Sequence, residues 1–261
     1  MNIYSDPNNT DNPVGFSYSK VETDGKKVKT YEKSRINIKA FEVENSISSS
    51  SEYILVDNQI ESFNYTLESF PESYKIYGKV KDAKIIITTI TNSDSQTKEY
   101  EAQNDYLVPP LFPLWLADGR LIPGADYEIY IFDPFMIASD FPKEKLLSKI
   151  KIYDKEKVLI GSEYITAYKV DYDFLGSSSN LWIEEDGTIV KEIIPPGFVS
   201  MRSNRNGVEG VELKSFDIVS KTSIQPDKEI KDPSKVKYMK FKLNGIDESG
   251  LDLADNYNQF K

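Results

Sequence analysis

The alternation of apolar and polar residues constrains the fold of this chain more than any other feature. It is clearest in residues 163–174, where one parity is mostly apolar or aromatic: Tyr164, Thr166, Tyr168, Val170, Tyr172 and Phe174. The other parity carries the charges Glu163, Lys169, Asp171 and Asp173, with Ile165 and Ala167 between them. Alternate side chains of an extended strand point to opposite faces. The segment is therefore predicted to be a half-buried strand of an antiparallel sheet.

The same period of two recurs along most of the chain and predicts a mainly β protein. A long strand is predicted at residues 27–44, where the apolar parity changes near Ala40 and a β-bulge or bend is expected. Tyr and Phe favour pleated surfaces, and the chain holds 17 Tyr and 13 Phe. Further strands are predicted at residues 14–22, 52–56, 60–69, 74–80, 85–87, 95–101, 126–132, 145–153, 198–203 and 235–243.

Asp-Gly pairs stand between neighbouring predicted strands, at Asp24-Gly25 and Asp186-Gly187. Such a pair supplies the positive φ that a tight hairpin requires. Strands joined by short hairpins form a meander, not a βαβ fold. The predicted architecture is one large curved antiparallel sheet, similar to a half-barrel, that wraps a short helix.

The short helix is predicted at residues 110–117, where two prolines suit the first turn. This segment is dense in apolar side chains: Leu111, Phe112, Leu114, Trp115 and Leu116. Because large exposed apolar patches are uncommon, the segment is predicted to be a plug packed on the concave face of the sheet. The alternative is a lid over a binding cavity.

The absence of Cys and His limits the chemistry of the chain most sharply. It excludes Cys nucleophiles, Ser-His-Asp arrangements, His-based proton transfer and almost every zinc site. We predict no catalytic residue, no metal and no cofactor. The net charge of −10, without any cluster of Lys or Arg, disfavours nucleic acid. No stretch reaches the length of about 18 apolar residues that a transmembrane segment needs, so none is predicted.

Two acidic motifs are interpreted as solvated loops. Residues 6–11 resemble a calcium loop but lack its glycine and its acidic twelfth ligand. Three carboxylates at residues 184–186 are adjacent in a hairpin, whereas a glycosidase needs two carboxyls held across a cleft.

A series of short motifs follows one order along the chain: Pro-Gly-Ala-Asp-Tyr at 123–127, Phe-Asp-Pro at 132–134, Gly-Ser-Glu at 161–163, Tyr-Lys-Val at 168–170 and Leu-Trp-Ile-Glu-Glu-Asp-Gly at 181–187. This order resembles the non-catalytic region of bacterial exported transglutaminase-like proteins. The start at 14–18 and the stretch from 230 to 245 fit the same region. The resemblance implies an accessory β domain at 1–245 and a tail at 246–261 that leads to a papain-like catalytic domain beyond Lys261. It also implies an extracytoplasmic location, periplasmic or at the cell surface, with the signal outside this chain.

The resulting expectation is a non-catalytic accessory or binding domain that positions a protein partner or a substrate. The alternative is a freestanding carrier that holds an apolar small molecule in a cavity of the curved sheet. An enzyme built on carboxylates alone is a third, weaker hypothesis. The residues predicted to contact a ligand are Phe112, Trp115, Tyr168, Tyr172 and Trp182, and the indole of Trp182 is also predicted to be largely buried.

Overall fold

The computed structural model describes residues 1–5, 12–40, 43–102, 105–174, 176–195, 197–203, 212–219 and 232–237. The chain divides into two compact units, Met1–Thr222 and Ser223–Lys261. In the second unit the described residues form a 3-10 turn at Pro233–Lys235. The predicted boundary at residue 245 and the tail at 246–261 lie outside the described residues, so that division stays a prediction.

The first unit is built on one large, mostly antiparallel sheet. In the described residues its strands are β1 (Asn2–Tyr4), β2 (Gly15–Asp24), β3 (Lys27–Ala40), β4 (Val43–Val56), β5 (Gln59–Ser69), β6 (Glu72–Lys81), β7 (Lys84–Ile90), β8 (Ser95–Glu101), β9 (Tyr106–Leu107), β10 (Asp126–Ile131), β11 (Leu147–Ile160), β12 (Glu163–Phe174), β13 (Ser177–Ile183), β14 (Ile189–Ile194), β15 (Phe198–Met201) and β16 (Phe216–Asp217).

The strand order shows two meanders joined at β1. It runs β8-β7-β6-β5-β4-β3-β2-β1-β15-β14-β13-β12-β11-β10-β9, so most neighbours in the sheet are also neighbours in sequence. Two pairings in the described residues are parallel, β9 with β10 and β16 with β3. The predicted class, a large curved antiparallel sheet that wraps a short helix, is confirmed.

The prediction of one continuous strand at residues 27–44 is wrong in one respect. β3 ends at Ala40, β4 begins at Val43, and these two residues pair with each other across the ladder. The change of parity near Ala40 therefore marks a hairpin, because the chain reverses there instead of bending. Register shifts occur elsewhere, between Ile54 and Leu55 and between Trp182 and Ile183. Such shifts increase the local twist of a sheet.

Most other predicted strands are confirmed with small changes of boundary. The strand predicted at 52–56 is the end of the longer β4, and the strand predicted at 145–153 is β11, which continues to Ile160. The strand predicted at 235–243 is not seen at its start, since Lys235 belongs to the 3-10 turn and residues 238–243 lie outside the described residues.

The segment between β8 and β11 runs along the inner face of the sheet. It contains a 3-10 turn at Pro109–Leu111, helix α1 (Phe112–Ala117), helix α2 (Pro134–Ala138) and a second 3-10 turn at Lys143–Leu146. The Asp133 side chain caps α2, since its Oδ1 accepts a hydrogen bond from the Met136 amide at 2.9 Å. Within the part of the chain that the structure describes, neither helix is long and apolar enough to cross a membrane.

This segment supplies one side of two apolar cores on the inner face. The first core lies on β4–β7 and contains Tyr53, Leu55, Phe63, Ile76, Ile85, Ile87, Val108, Phe132, Ile137 and Leu146. The second lies on β11–β13 and contains Leu116, Ile150, Ile152, Val170, Leu181 and Ile183. The prediction that residues 110–117 form a packed plug is confirmed, because Leu116 of α1 is fully buried in the second core.

Candidate functional site

A strip of polar side chains crosses the inner face beside the two apolar cores. On β3 the inward positions run from Val28 through Thr30, Glu32 and Ser34 to Ile36, as the pairing with β4 shows. Glu32 lies opposite Ser51, and Thr30 lies opposite the buried Tyr53. An amphipathic strand normally places apolar residues at every inward position. The break in the apolar row of β3 therefore marks a candidate site.

Glu32 is the acidic residue of this strip on β3. Burial, together with the negative charge of Glu192, raises the pKa of its carboxyl to about 7. In the part of the chain that the structure describes, no Lys or Arg forms an ion pair with Glu32. Removing a carboxylate from water without a cationic partner disfavours its charged form. Glu32 thus takes up a proton near neutral pH.

Glu192 approaches the same region from β14, on the other side of the β1 junction. It lies opposite Leu181 of β13 and Ser200 of β15, so its side chain shares their inward face. The Tyr172 hydroxyl donates a hydrogen bond of 2.5 Å to Glu192 Oε1. Burial raises the pKa of Glu192, and the bond from Tyr172 partly opposes that rise. The described residues contain no ion pair to this carboxyl either.

The curvature of the sheet explains how the two carboxyls interact. Three strands, β2, β1 and β15, separate β3 from β14. Four strand spacings amount to about 19 Å along a sheet. The charge of Glu192 nevertheless acts on Glu32, and the charge of Glu32 acts on Tyr172. Inward side chains converge on the concave side of a curved sheet, which brings the charges of residues far apart in strand order closer together.

Three tyrosines of the inner face are affected by the charge of Glu32. Burial raises the pKa of Tyr65 to about 12 and raises the pKa values of Tyr53 and Tyr172 as well. The charge of Glu32 contributes to the rise at each of the three, and Ser51 hydrogen bonds to Tyr53. Their hydroxyls are therefore neutral at physiological pH and are available as hydrogen-bond donors.

Thr30 adds a polar atom that has no partner within the described part of the protein. Its side chain is fully buried, yet Oγ1 makes no hydrogen bond there. A buried hydroxyl without a partner costs about 1–3 kcal/mol. We call Thr30, Glu32, Ser51, Tyr53, Tyr65, Tyr172 and Glu192 the inner-face polar cluster.

Four of the sequence-predicted contact residues lie together in the second core. The Phe112 ring is 5.6 Å from the Tyr172 ring and 6.4 Å from the Trp115 ring, centroid to centroid. Tyr168 packs against the same core. The guanidinium of Arg120 lies 4.6 Å from the centre of the Trp115 ring. Tyr172 joins this aromatic group to the inner-face polar cluster.

Trp182 lies apart from those four residues. It is 7% exposed, so its predicted burial is confirmed, but it packs with Val158, Ala167 and Val190 instead of the second core. Its Nε1 donates a hydrogen bond to Glu156, and the Lys191 amine lies 4.8 Å from its ring centre. Its neighbours Leu181 and Ile183 face inward, so Trp182 faces outward because side chains alternate along a strand.

The outer face carries an open cleft of about 640 Å³ on β10, β11 and β12. One of its carboxylates has partners, since Asp171 accepts a hydrogen bond of 2.6 Å from Asn180 and lies 3.4 Å from the Lys169 amine. No group of three His, Cys, Asp or Glu residues suited to a metal ion occurs among the described residues. This cleft has the character of a solvated, mixed-charge surface.

The acidic hairpin at 184–186 is a turn, as predicted. Glu184 pairs with Arg202, Glu185 pairs with Lys155, and Asp186 Oδ1 accepts a hydrogen bond of 2.8 Å from the Thr188 amide. These partners account for all three carboxylates. The calcium-like loop at residues 6–11 lies outside the described residues.

Comparisons with known proteins give little functional information. No protein-family model matches the sequence, and no curated protein matches it. Among solved structures, the chain is similar to a beta-barrel-like protein of a domain of unknown function, DUF1849, from Brucella abortus. That similarity has a TM-score of 0.47 at 10% identity and covers 71% of this chain and 84% of the other. No functional assignment follows from a match at this level.

Sequence reasoning identified Tyr172 but missed Glu32, Glu192 and Thr30 as members of one cluster. The available signal was on β3, where Glu32 and Ser34 interrupt an inward row that Val28 and Ile36 otherwise make apolar. Two polar residues of the same parity inside an amphipathic strand indicate either a site or a buried hydrogen-bond network. Glu192 carries no comparable signal, because a register shift precedes it in β14.

Proposed function

We propose that the first unit is a non-catalytic binding module that holds a ligand on the inner face of its curved sheet. The observation that supports this function is the pair Glu32 and Glu192, two carboxyls on the inner face without a basic partner in the described part of the chain. Buried ionisable groups are normally paired. Two carboxyls without a Lys or Arg partner are typical of a site where a bound ligand supplies the positive charge.

The state of the hydroxyl groups supports binding over catalysis. Nucleophilic catalysis needs a group with a lowered pKa or a neighbouring base such as His. Here burial raises the pKa values of Tyr53, Tyr65 and Tyr172, and the sequence contains no His or Cys. A hydroxyl group whose pKa is raised is a poorer nucleophile and is better suited to donating a hydrogen bond to a ligand.

The packing gives less support to the alternative, a carrier of an apolar ligand. Val108, Leu116 and Phe132, three fully buried side chains of the segment between β8 and β11, fill the apolar parts of the inner face. Interiors packed in this way have no space for a second apolar body. The polar strip beside them suits a polar or charged ligand better.

The wider role proposed for the module is to position a partner or a substrate for another domain. Its support is the series of loop and hairpin motifs that resemble those of exported transglutaminase-like proteins, among them the hairpin at residues 181–187. An extracytoplasmic location belongs to the same proposal. The mass of the intact native protein tests it, since a catalytic domain after Lys261 requires a substantially longer chain.

Trp115 fluorescence tests the binding function directly. Trp115 stacks near Phe112, which contacts Tyr172 of the cluster, so ligand binding there should change its emission. A Trp182→Phe background removes the other tryptophan. We expect saturable changes with at least one class among small cations, small anions, neutral polar molecules and fatty acids. Flat titrations with all four classes would contradict the proposed function.

A further inference from the structure

We propose that β8, the last strand at one end of the sheet order, is an interaction surface that pairs in antiparallel register with β8 of a second copy of this chain. β8 pairs with β7 on one side, and among the described strands none pairs with it on the other. An open strand edge presents N–H and C=O groups that another strand can bind. This inference concerns the edge of the sheet and is independent of the ligand proposed for the inner face.

The hairpin between β7 and β8 determines which backbone groups of β8 are free. The Thr91 amide donates a hydrogen bond of 2.9 Å to the Asp94 carbonyl, and bonded pairs alternate along the ladder from there. The residues whose groups point to β7 are Gln96, Lys98 and Tyr100. The residues whose groups point away from the sheet are Ser95, Thr97, Glu99 and Glu101. Of the amides in this second set, only that of Ser95 has a partner in the described structure, Asp94 Oδ1 at 2.7 Å.

The charged side chains at the centre of β8 have partners within the same molecule. Natural edge strands commonly carry a free Lys, a Pro or a bulge that blocks further pairing. Lys98 instead forms an ion pair with Asp140, and Glu99 accepts a hydrogen bond of 2.8 Å from Lys84 of β7. The pairing of β7 with β8 has no register shift, and β8 contains no Pro. The usual obstacles to pairing are therefore absent from this edge.

The opposite end of the strand order differs from β8 in length. The strand there, β9, has two residues. Short edge strands present few backbone groups to another chain. β8 has seven residues, and it is exposed at every position whose backbone groups point away from the sheet. Of the two end strands, β8 is thus the one that another strand can extend.

A second copy fits this edge when the twofold axis passes through Thr97. In that register Thr97 pairs with Thr97 of the second copy, and the Glu99 amide donates to the Ser95 carbonyl of the second copy. Lys98 then lies opposite Gln96, so no like charges face each other. An axis through Lys98 or Glu99 would place two lysines or two glutamates directly opposite each other, which is destabilising. The charge pattern of β8 therefore selects the register centred on Thr97.

The test is the oligomeric state of the whole chain, measured by analytical ultracentrifugation over a wide range of concentrations. We expect a monomer that converts to a dimer as the concentration rises. Hydrogen exchange followed by NMR tests the register, since the amides of Thr97 and Glu99 should exchange more slowly in the dimer than in the monomer. The Lys98 amide is bonded to β7 in both states and should stay protected. A monomer at every concentration, or a dimer in which Thr97 and Glu99 gain no protection, would overturn the proposal.

Substitutions at Thr97 test the same pairing. Thr97→Pro removes the central amide without breaking a bond to β7, because that amide points away from the sheet, and should weaken the dimer by about tenfold or more. Thr97→Ala is the matched control, since it loses the same side-chain hydrogen bond to Thr88 but keeps the amide, and should dimerise as the wild type does. Thr97→Lys keeps the amide, places two ammonium groups opposite each other and should also weaken the dimer, so it serves if Thr97→Pro fails to fold. Unchanged dimerisation of Thr97→Pro or Thr97→Lys would place the interface elsewhere and overturn the proposal.

Discussion

At the scale of single residues, burial decides the role of each aromatic and acidic side chain. Trp182 and Tyr168 lie close in the ladder of β12 and β13, yet one faces the outer side and the other the second core. Neighbouring positions of these two paired strands thus pack on opposite faces of the sheet. Glu32 and Glu163 differ in the same way, since one is an inward carboxyl and the other is exposed.

Trp182→Ala should destabilise the protein by about 3–5 kcal/mol, because it removes a large side chain that is buried on the outer face. Urea unfolding monitored by far-UV circular dichroism measures the change. Tyr164→Ala is the matched control, since Tyr164 is 69% exposed and its removal should change the free energy by less than about 0.5 kcal/mol. A loss below about 1 kcal/mol in Trp182→Ala would contradict the observed packing.

Glu32→Gln should change how stability depends on pH. The folded state raises the pKa of Glu32 from 4.5 to about 7, so the folded protein binds this proton more tightly than the unfolded chain. The wild-type protein therefore loses stability as pH rises from about 4.5 to about 7. The inward groups that act on this carboxyl, or respond to its charge, are Glu192, Tyr53, Tyr65 and Tyr172.

The variant lacks this penalty, and we expect Glu32→Gln to be more stable than the wild type by roughly 1–3 kcal/mol at pH 8 and about equally stable at pH 4. Unfolding in urea at several pH values measures the difference, with Glu163→Gln as the control. A variant that is less stable than the wild type at pH 8 would show that the Glu32 carboxylate has a favourable partner.

At the scale of elements, the turn between β13 and β14 packs against helix α1. Gly187 adopts φ of +88°, and a Cβ placed on it would lie 3.1 Å from the carbonyl oxygen of Pro113 in α1. The turn therefore needs glycine for two reasons, its left-handed backbone and its close approach to the helix. This contact helps to hold Phe112 and Trp115 against the second core.

Gly187→Ala should cost more free energy than the same change at Gly25. Both positions have positive φ, which costs about 1–2 kcal/mol for a residue with a Cβ. Gly25 has nothing within 4 Å of the added atom, so the difference between the two variants isolates the contact with α1. We expect Gly187→Ala to be worse by about 1 kcal/mol or more in thermal or urea unfolding. Equal losses would mean that hairpin and helix do not touch.

At the scale of the first unit, the segment between β8 and β11 makes contacts that join the two halves of the curved sheet. Phe132 follows β10 at one end of the strand order, yet its ring lies 5.0 Å from Phe63 and 6.0 Å from Tyr53, centroid to centroid. Those two residues belong to the other half of the sheet. The contact therefore joins the two meanders across the inner face, and the polar cluster depends on that convergence.

Phe132→Ala should destabilise the protein by about 3–5 kcal/mol and should also move the two halves of the sheet relative to each other. Phe70→Ala is the matched control, because Phe70 is 84% exposed. Urea unfolding measures the stability, and the amide shifts of Glu32 and Glu192 report on the cluster. Unchanged stability and unchanged shifts in Phe132→Ala would contradict a structural role for this contact.

Much of the fold follows from local pattern in the sequence. The period of two in β12 and the Asp-Gly turns were enough to predict a curved antiparallel meander with a short inner helix. Alternation and turn residues act over a few positions, so a single sequence shows them. A bulge and the hairpin that joins Ala40 to Val43 both produce a change of parity, and only strand pairing distinguishes them.

The candidate site was decided by tertiary structure. Glu32 and Glu192 are 160 positions apart by their numbers, and three strands separate them in the sheet. No local pattern links them, because their interaction arises from the curvature of the whole sheet. The sequence determined which faces of the strands are apolar and that His and Cys chemistry is absent. The curvature of the sheet lets the charge of Glu192 act on Glu32, and the charge of Glu32 act on Tyr172 of the other half.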